Sequence, residues 1–199
     1  MASARSNRRR SSRDLGVHLD SQLSMKHHVA KVRASCHYHL RRLRQIRRCV
    51  GNEVTIRLVL ALVISRLDYC HSLLAGLPRS TLAPLQRVQN AAARLVFELD
   101  PRDHVTASLI QLHWLPVHWC IQFKLCCIMH FVLMSNAPHR IGLLLRTVTA
   151  ACSRSGLRST SSSNFALLQL RPRFGERSFS HVGPQRGTLC LQTFVLLRP

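Results

Sequence analysis

Metal-assisted chemistry on nucleotides needs carboxylates gathered closely enough to hold two divalent ions beside the reacting phosphate. The chain has eight: Asp14, Asp20, Glu53, Asp68, Glu98, Asp100, Asp103 and Glu176. No two are adjacent. Only Glu98, Asp100 and Asp103 cluster, at an expected helix end beside Pro101, where stopping a helix and making a turn account for all three. Zinc is the next chemistry to test, because the chain has 12 His and 8 Cys. It contains no CxxC, no HxxxH and no HxE followed by a Cys pair, and His113, His118, Cys120 and Cys126 lack any ligand spacing. Cys36 lies near His37 and His39, with no third group to orient a base, and no glycine-rich phosphate loop is present. The sequence therefore points to no catalytic residue, no metal and no cofactor.

Binding chemistry is a different matter. The 199 residues include 29 Lys plus Arg against 8 Asp plus Glu, a net charge of +21. Of the basic residues 26 are Arg, and the 3 lysines are Lys26, Lys31 and Lys124. A polyanion is the partner such a balance suits, nucleic acid before an anionic membrane. Arg suits bidentate phosphate contact; a GC-rich coding sequence explains the same bias. Between Ser24 and Val50 the apolar positions Val29, Val32, Cys36, Leu40, Leu43, Ile46 and Val50 recur at steps of three and four, one face of a helix. On that helix Arg33, Arg41, Arg44 and Arg48 fall in one stripe beside the apolar face. The stripe reads either as a solvated face or as a row of phosphate contacts. Arg87 and Arg94 lie opposite the apolar arc of a later helix and extend the candidate contact set.

Elements to position these residues follow from the same periodicity. Residues 1–14, Arg/Ser-rich, read as a basic disordered tail, with RRRSSR at 8–13 a candidate nuclear-import patch. Leu15–Leu19 is strand-like and ends at a turn-prone Asp20–Ser21. Gly51–Asn52 ends the first helix, and Asn52 is placed to cap a second running from Glu53 to Leu74. The centre of that second helix, LVLALVI, is apolar all round and predicts burial on several sides. Ser80 is placed to cap a third helix over 81–99, with Leu82, Leu85, Val88, Ala92, Leu95, Val96 and Leu99 on one arc and Pro84 tolerated in the first turn. Thr106 opens a short helix to Leu112, and Pro116 a further one to Met134. Residues 152–164 read as a Ser/Arg-rich loop.

The expected fold is mainly α: about five helices in a small bundle over 22–145, between a basic unstructured N-terminal tail and a weakly ordered C-terminal one. With 46% apolar residues the chain can build a core, which excludes disorder throughout. Leu58–Ile64 is too short to span a membrane, and Trp119–Met134 carries Gln122, Lys124 and His130. No apolar h-region follows the N-terminal charges, and the cysteines give little support for a disulfide framework. The expectation is an intracellular chain, nuclear or cytoplasmic and not secreted.

Several strings are more specific than composition: LGVHLDSQLSM (15–25), HLRRLRQIRR (39–48), SRLDYCHSLLAGLP (65–78), LQRVQNAAARLV (85–96), LHWLPVHWCIQFK (112–124), SRSGLRS (153–159) and FGERSFSHVGP (174–184). In this order they resemble the region after the polymerase core of LINE-type, non-LTR retrotransposon reverse transcriptases, the jockey-like group. The resemblance implies a helical thumb-like region over 15–145 and a loop-rich segment over 146–184. In the family the catalytic aspartates lie upstream in a F/Y-A-D-D string, which has no match here, so no catalytic residue carries over. The thumb of such enzymes grips a primer–template duplex. The expected partner is thus an RNA or DNA duplex bound without sequence preference, with no small-molecule substrate and no membrane. Association with a full-length reverse transcriptase is a further expectation.

Where the family has Arg, this chain has His118 and Cys120, and where it has Asn this chain has His71. Decay of CpG in Arg codons produces the first two changes. After Gly183–Pro184 the family continues with a string like A-W-N-S-L-P, and one permitted set of codons for residues 185–199, shifted in frame, encodes it. Those residues are expected to be a frameshifted end. On this reading the chain is a catalytically incomplete remnant of an RNA-directed DNA polymerase; the alternative is a retained nucleic-acid-binding module. Steep weakening with salt would mark the second.

Overall fold

In the computed structural model the described residues are 12–20, 22–133 and 182, and 73% of them are helical. The mainly α expectation is met, with one small two-stranded sheet added. Two compact units divide the described chain: 12–70 with 78–118, and 71–77 with 119–133.

The first unit opens with a hairpin, β1 (Ser12–Asp14) antiparallel to β2 (Val17–Leu19), with Asp14 opposite Val17. Its two turn residues, Leu15 and Gly16, both have positive φ. Two-residue hairpins need that geometry to match strand twist. Residues 12–14 are therefore paired strand and not tail, a correction to the boundary drawn at 14; an Arg/Ser-rich composition hid a strand whose stability comes from its partner. The Tyr69 hydroxyl donates to the Leu15 carbonyl at 2.5 Å and fixes the turn.

Asp20 then ties off the approach to the first helix, its carboxylate accepting from the Ser24 backbone N–H at 2.7 Å and from the Ser24 hydroxyl. The helix, α1 (Lys26–Val59), buries Val29, Cys36, Leu40 and Leu43. Val32 and Val50 are half-buried, while Ile46 is exposed and does not belong to the seam. At Gly51 the backbone leaves helical geometry (φ 70°, ψ 174°), so the expected break between two helices is present as a kink. Asn52 does not cap there; its side-chain oxygen accepts from Arg47 instead. The Thr55 hydroxyl takes up the Gly51 carbonyl at 2.6 Å.

Beyond the kink the expected second helix is broken into pieces. A π segment (Leu60–Ile64) leads into a single turn, α2 (Ser65–Asp68). Thr55, Val59, Val63 and Leu67 are buried, while Leu60 is exposed, so the segment faces the core on one side only. Steps of four overshoot an α-helical turn by about 40°, and three such steps would swing the row by about 120°. The π turn absorbs one extra residue, about 100°, and brings Leu67 back into line with Thr55.

α3 (Arg79–Phe97) packs along α1 and buries Leu82, Leu85, Val88, Ala92, Leu95 and Val96, most of the expected arc. Pro78, not Ser80, sits at its N-cap, and Glu98 closes it in the left-handed region at φ 56°. α4 (Thr106–Gln111) is capped at Val105 and not Thr106, and with Ala93 it forms a small apolar cluster of Val105 and Leu109 under Leu112 and Trp114.

α5 (Val117–Leu133) starts in the first unit, where the Gln86 side chain accepts from the Val117 backbone N–H at 2.9 Å and Gln89 donates to the Leu115 carbonyl at 2.8 Å. The second unit holds the rest of α5 and a 3₁₀ turn, His71–Leu74. Along α5, Ile121, Leu125 and Met129 are buried at steps of four and Trp119, Phe123 and Phe131 are exposed. Cys126 is disulfide-bonded, although the cysteine spacing gives little support for a disulfide framework, while Cys36, Cys49, Cys70 and Cys127 are free. No helix of the described residues is long and apolar enough to cross a membrane. Residues 1–11 and, apart from Val182, the segments expected at 146–184 and 185–199 lie outside the described residues.

Candidate nucleic-acid interface

With Cys36, Leu40 and Leu43 turned inward, the remaining faces of α1 carry its cations. Arg33, Arg41, Arg44 and Arg48 are all exposed, as is Arg87 on α3, and Arg94 is half-buried. Arg33 and Arg41 flank His37, whose pKa is held below the ordinary imidazole value first by burial and then by these two charges. The stripe read from the sequence is therefore present on the surface of α1.

The six candidate arginines do not all line the same cleft. Arg44 and Arg48 of α1 and Arg94 of α3 line one open cleft of about 710 Å³, together with Arg47, Ala91, Leu95, Glu98, Leu99, Asp100 and Pro101. Arg33, Arg41 and Arg87 lie outside it. Arg44 and Arg48 make no hydrogen bond or ion pair among the described residues. Arg94 donates from Nη2 to the Asp103 carbonyl at 3.1 Å, and its buried Nε has no hydrogen-bond partner among the described residues. A buried donor left unsatisfied costs free energy until an acceptor reaches it.

Arg47 falls outside the stripe, yet it organises the cleft. Its Nε donates to the Leu95 carbonyl at 3.3 Å, and its Nη2 to the Val96 carbonyl at 3.1 Å. The same Nη2 lies 3.6 Å from the Glu98 carboxylate. These carbonyls belong to the last turn of α3, which has no intrahelical donors left and carries the negative end of the helix dipole. The signal is present in the sequence: Cys36, Leu40, Leu43 and Arg47 are spaced four, three and four, so Arg47 continues the buried seam. A cation placed on a seam must find acceptors there.

The other chemistry-bearing groups serve the fold. Asp103 accepts the Asp100 backbone N–H at 2.9 Å, and Glu98 faces Arg47. Cys36 is fully buried, its thiol donating towards the Val63 carbonyl at 3.8 Å and its pKa pushed up by burial to about 11. A thiol so placed is no nucleophile at neutral pH. Among the described residues no three His, Cys, Asp or Glu side chains come together in a way that could hold a metal ion.

The fold and the cleft define a small, strongly basic, mainly helical protein. Set against known proteins, the chain matches no family model, no curated protein and no solved structure.

Proposed function

We propose that this chain is a phosphate-contacting helical region of the kind that follows the palm in non-LTR retrotransposon reverse transcriptases, a remnant with no activity of its own. The family part of this reading rests on the strings over 15–184, and one observation carries the phosphate contact. α1 presents Arg33, Arg41, Arg44 and Arg48 to solvent, and among the described residues no carboxylate pairs with any of them. A solvated helix face of ordinary composition alternates charges of both signs; this one does not.

Such a surface binds RNA or DNA duplexes through counterion release and without sequence preference. The test is titration of the full chain against a random-sequence duplex across a range of KCl concentrations. Replacing Arg33, Arg41, Arg44 and Arg48 by Ala should lower affinity and make the log–log salt slope shallower by about 0.9 for each phosphate no longer neutralised. An unchanged slope removes the phosphate contact and leaves only the remnant reading.

A further inference from the structure

The cleft at the end of α3 holds something a plain phosphate-binding face does not need. Beside Arg44, Arg47, Arg48 and Arg94 stand two carboxylates, Glu98 and Asp100. Glu98 is drawn to Arg47, but the Asp100 carboxylate is exposed and makes no hydrogen bond or ion pair among the described residues. A free carboxylate beside a polyanion is repelled by it unless the ligand offers a donor. Along a nucleic-acid backbone the hydroxyl that distinguishes RNA is such a donor, since the 2′-OH both donates and accepts.

The arginines of the lining supply what the neighbouring phosphate requires. Arg44 and Arg48 have no partner among the described residues, and Arg94 lines the same cleft. A volume of about 710 Å³ falls within the range of sites that enclose small ligands, enough for a nucleotide unit and too little for a duplex. We infer that this cleft takes one phosphoribose unit of an RNA strand, the phosphate on Arg44, Arg48 and Arg94 and the 2′-hydroxyl on Asp100. The inference rests on the nucleic-acid reading above and adds to it a sugar preference and a count of one phosphate.

Both additions are measurable on the full chain, with labelled single-stranded oligouridine and oligodeoxyuridine of equal length. The RNA should bind about tenfold more tightly than the DNA, the effect of one hydrogen bond to a charged acceptor. Asp100→Ala should erase that preference, with DNA binding rising towards RNA binding; its side chain holds nothing in the fold, so folding is not at stake. The double replacement Arg44→Gln with Arg48→Gln should weaken both polymers and make the salt slope shallower by about 0.7, the value for one phosphate shared by both residues on a single strand. A change of about 1.4, or none, means separate phosphates or no phosphate and overturns the single-phosphate site. Equal binding of RNA and DNA by the unaltered chain, or a preference that survives Asp100→Ala, overturns the sugar contact while leaving the nucleic-acid reading standing. If neither polymer binds in a salt-dependent way, the broader reading falls and the cleft assignment falls with it.

Discussion

At its N-terminal end α1 meets the hairpin through three imidazoles, and beyond its middle it meets α3 through one guanidinium. In the first region the His18 backbone N–H donates to His28 Nδ1 at 3.4 Å, and the His18 and His27 rings stack edge to face at 5.3 Å. In the second, Arg47 reaches two carbonyls and a side-chain oxygen at 3.1–3.3 Å. Both regions bring positively chargeable groups onto a backbone segment of another element. They differ in whether the group must be charged. Arg47 works as a cation and satisfies acceptors; His28 works only when neutral, because Nδ1 can accept a hydrogen bond only without its proton. One joint is therefore independent of pH, and the other is not.

The largest effect should come from breaking the pH-independent joint. Arg47→Met keeps an unbranched apolar stem and removes the donors, leaving the last carbonyls of α3 to water. A loss of about 2–3 kcal/mol is expected, from hydrogen bonds made by a charged donor. Urea denaturation measures it, and Arg47→Lys, with one donor group in place of a fork, should recover only part. A midpoint equal to that of the unaltered chain would mean that α3 is closed without Arg47.

Next in size is the kink that follows. Gly51 sits at φ 70° and ψ 174°, a region closed to side chains, and a Cβ there would meet nothing within 4 Å. Gly51→Ala should thus cost about 1–3 kcal/mol through backbone strain alone, with no steric clash to add to it. The same urea experiment reads the change; a neutral result would show that the helix can straighten at that point.

Smallest, and confined to the hairpin joint, is the response to acid. The pKa of His28 lies below the ordinary value of 6.5, chiefly through burial and then through His18 and His27. The folded state therefore binds fewer protons than the unfolded one, and the stability that neutral His28 contributes is present above the ordinary value of 6.5 and is lost as pH falls from there through the lower folded-state pKa. Thermal midpoints between pH 7.5 and 5 should decline in the unaltered chain. In His28→Asn, whose side-chain oxygen accepts without titrating, the decline should be shallower. An equal decline in both would place the titrating group elsewhere.

Periodicity makes most of the helices legible. The expected helix over 81–99 differs from Arg79–Phe97 by two residues at each end, and the break at Gly51 follows from glycine chemistry alone. What is not legible depends on partners distant in the chain. β1 exists because β2 pairs with it and Tyr69 holds the turn from 54 residues away. The division of residues 53–74 into α, π and 3₁₀ pieces reflects which side of an all-round apolar run finds the core. At the candidate interface the arginines themselves are legible, since helical spacing places them on the surface. Their separation into a cleft group and an outlying group is not, because it depends on where α3 ends against α1. Arg47 shows the limit best: an arginine among arginines, distinguished only by its place on the seam.

The π segment at Leu60–Ile64 bears on how this chain tolerates changes of length. Inside an ordinary helix, gaining or losing one residue rotates everything beyond by about 100° and turns a buried face outward. A widened turn already stores one residue outside the regular count. With that residue discounted, the buried positions Thr55, Val59, Val63 and Leu67 fall at intervals of four, three and four, the spacing of a heptad seam. Structurally, the segment is equivalent to a single-codon insertion that the helix absorbed as a bulge, leaving the faces on either side in register. A compensating deletion within 60–64 would restore a plain helix without disturbing the packing at its ends.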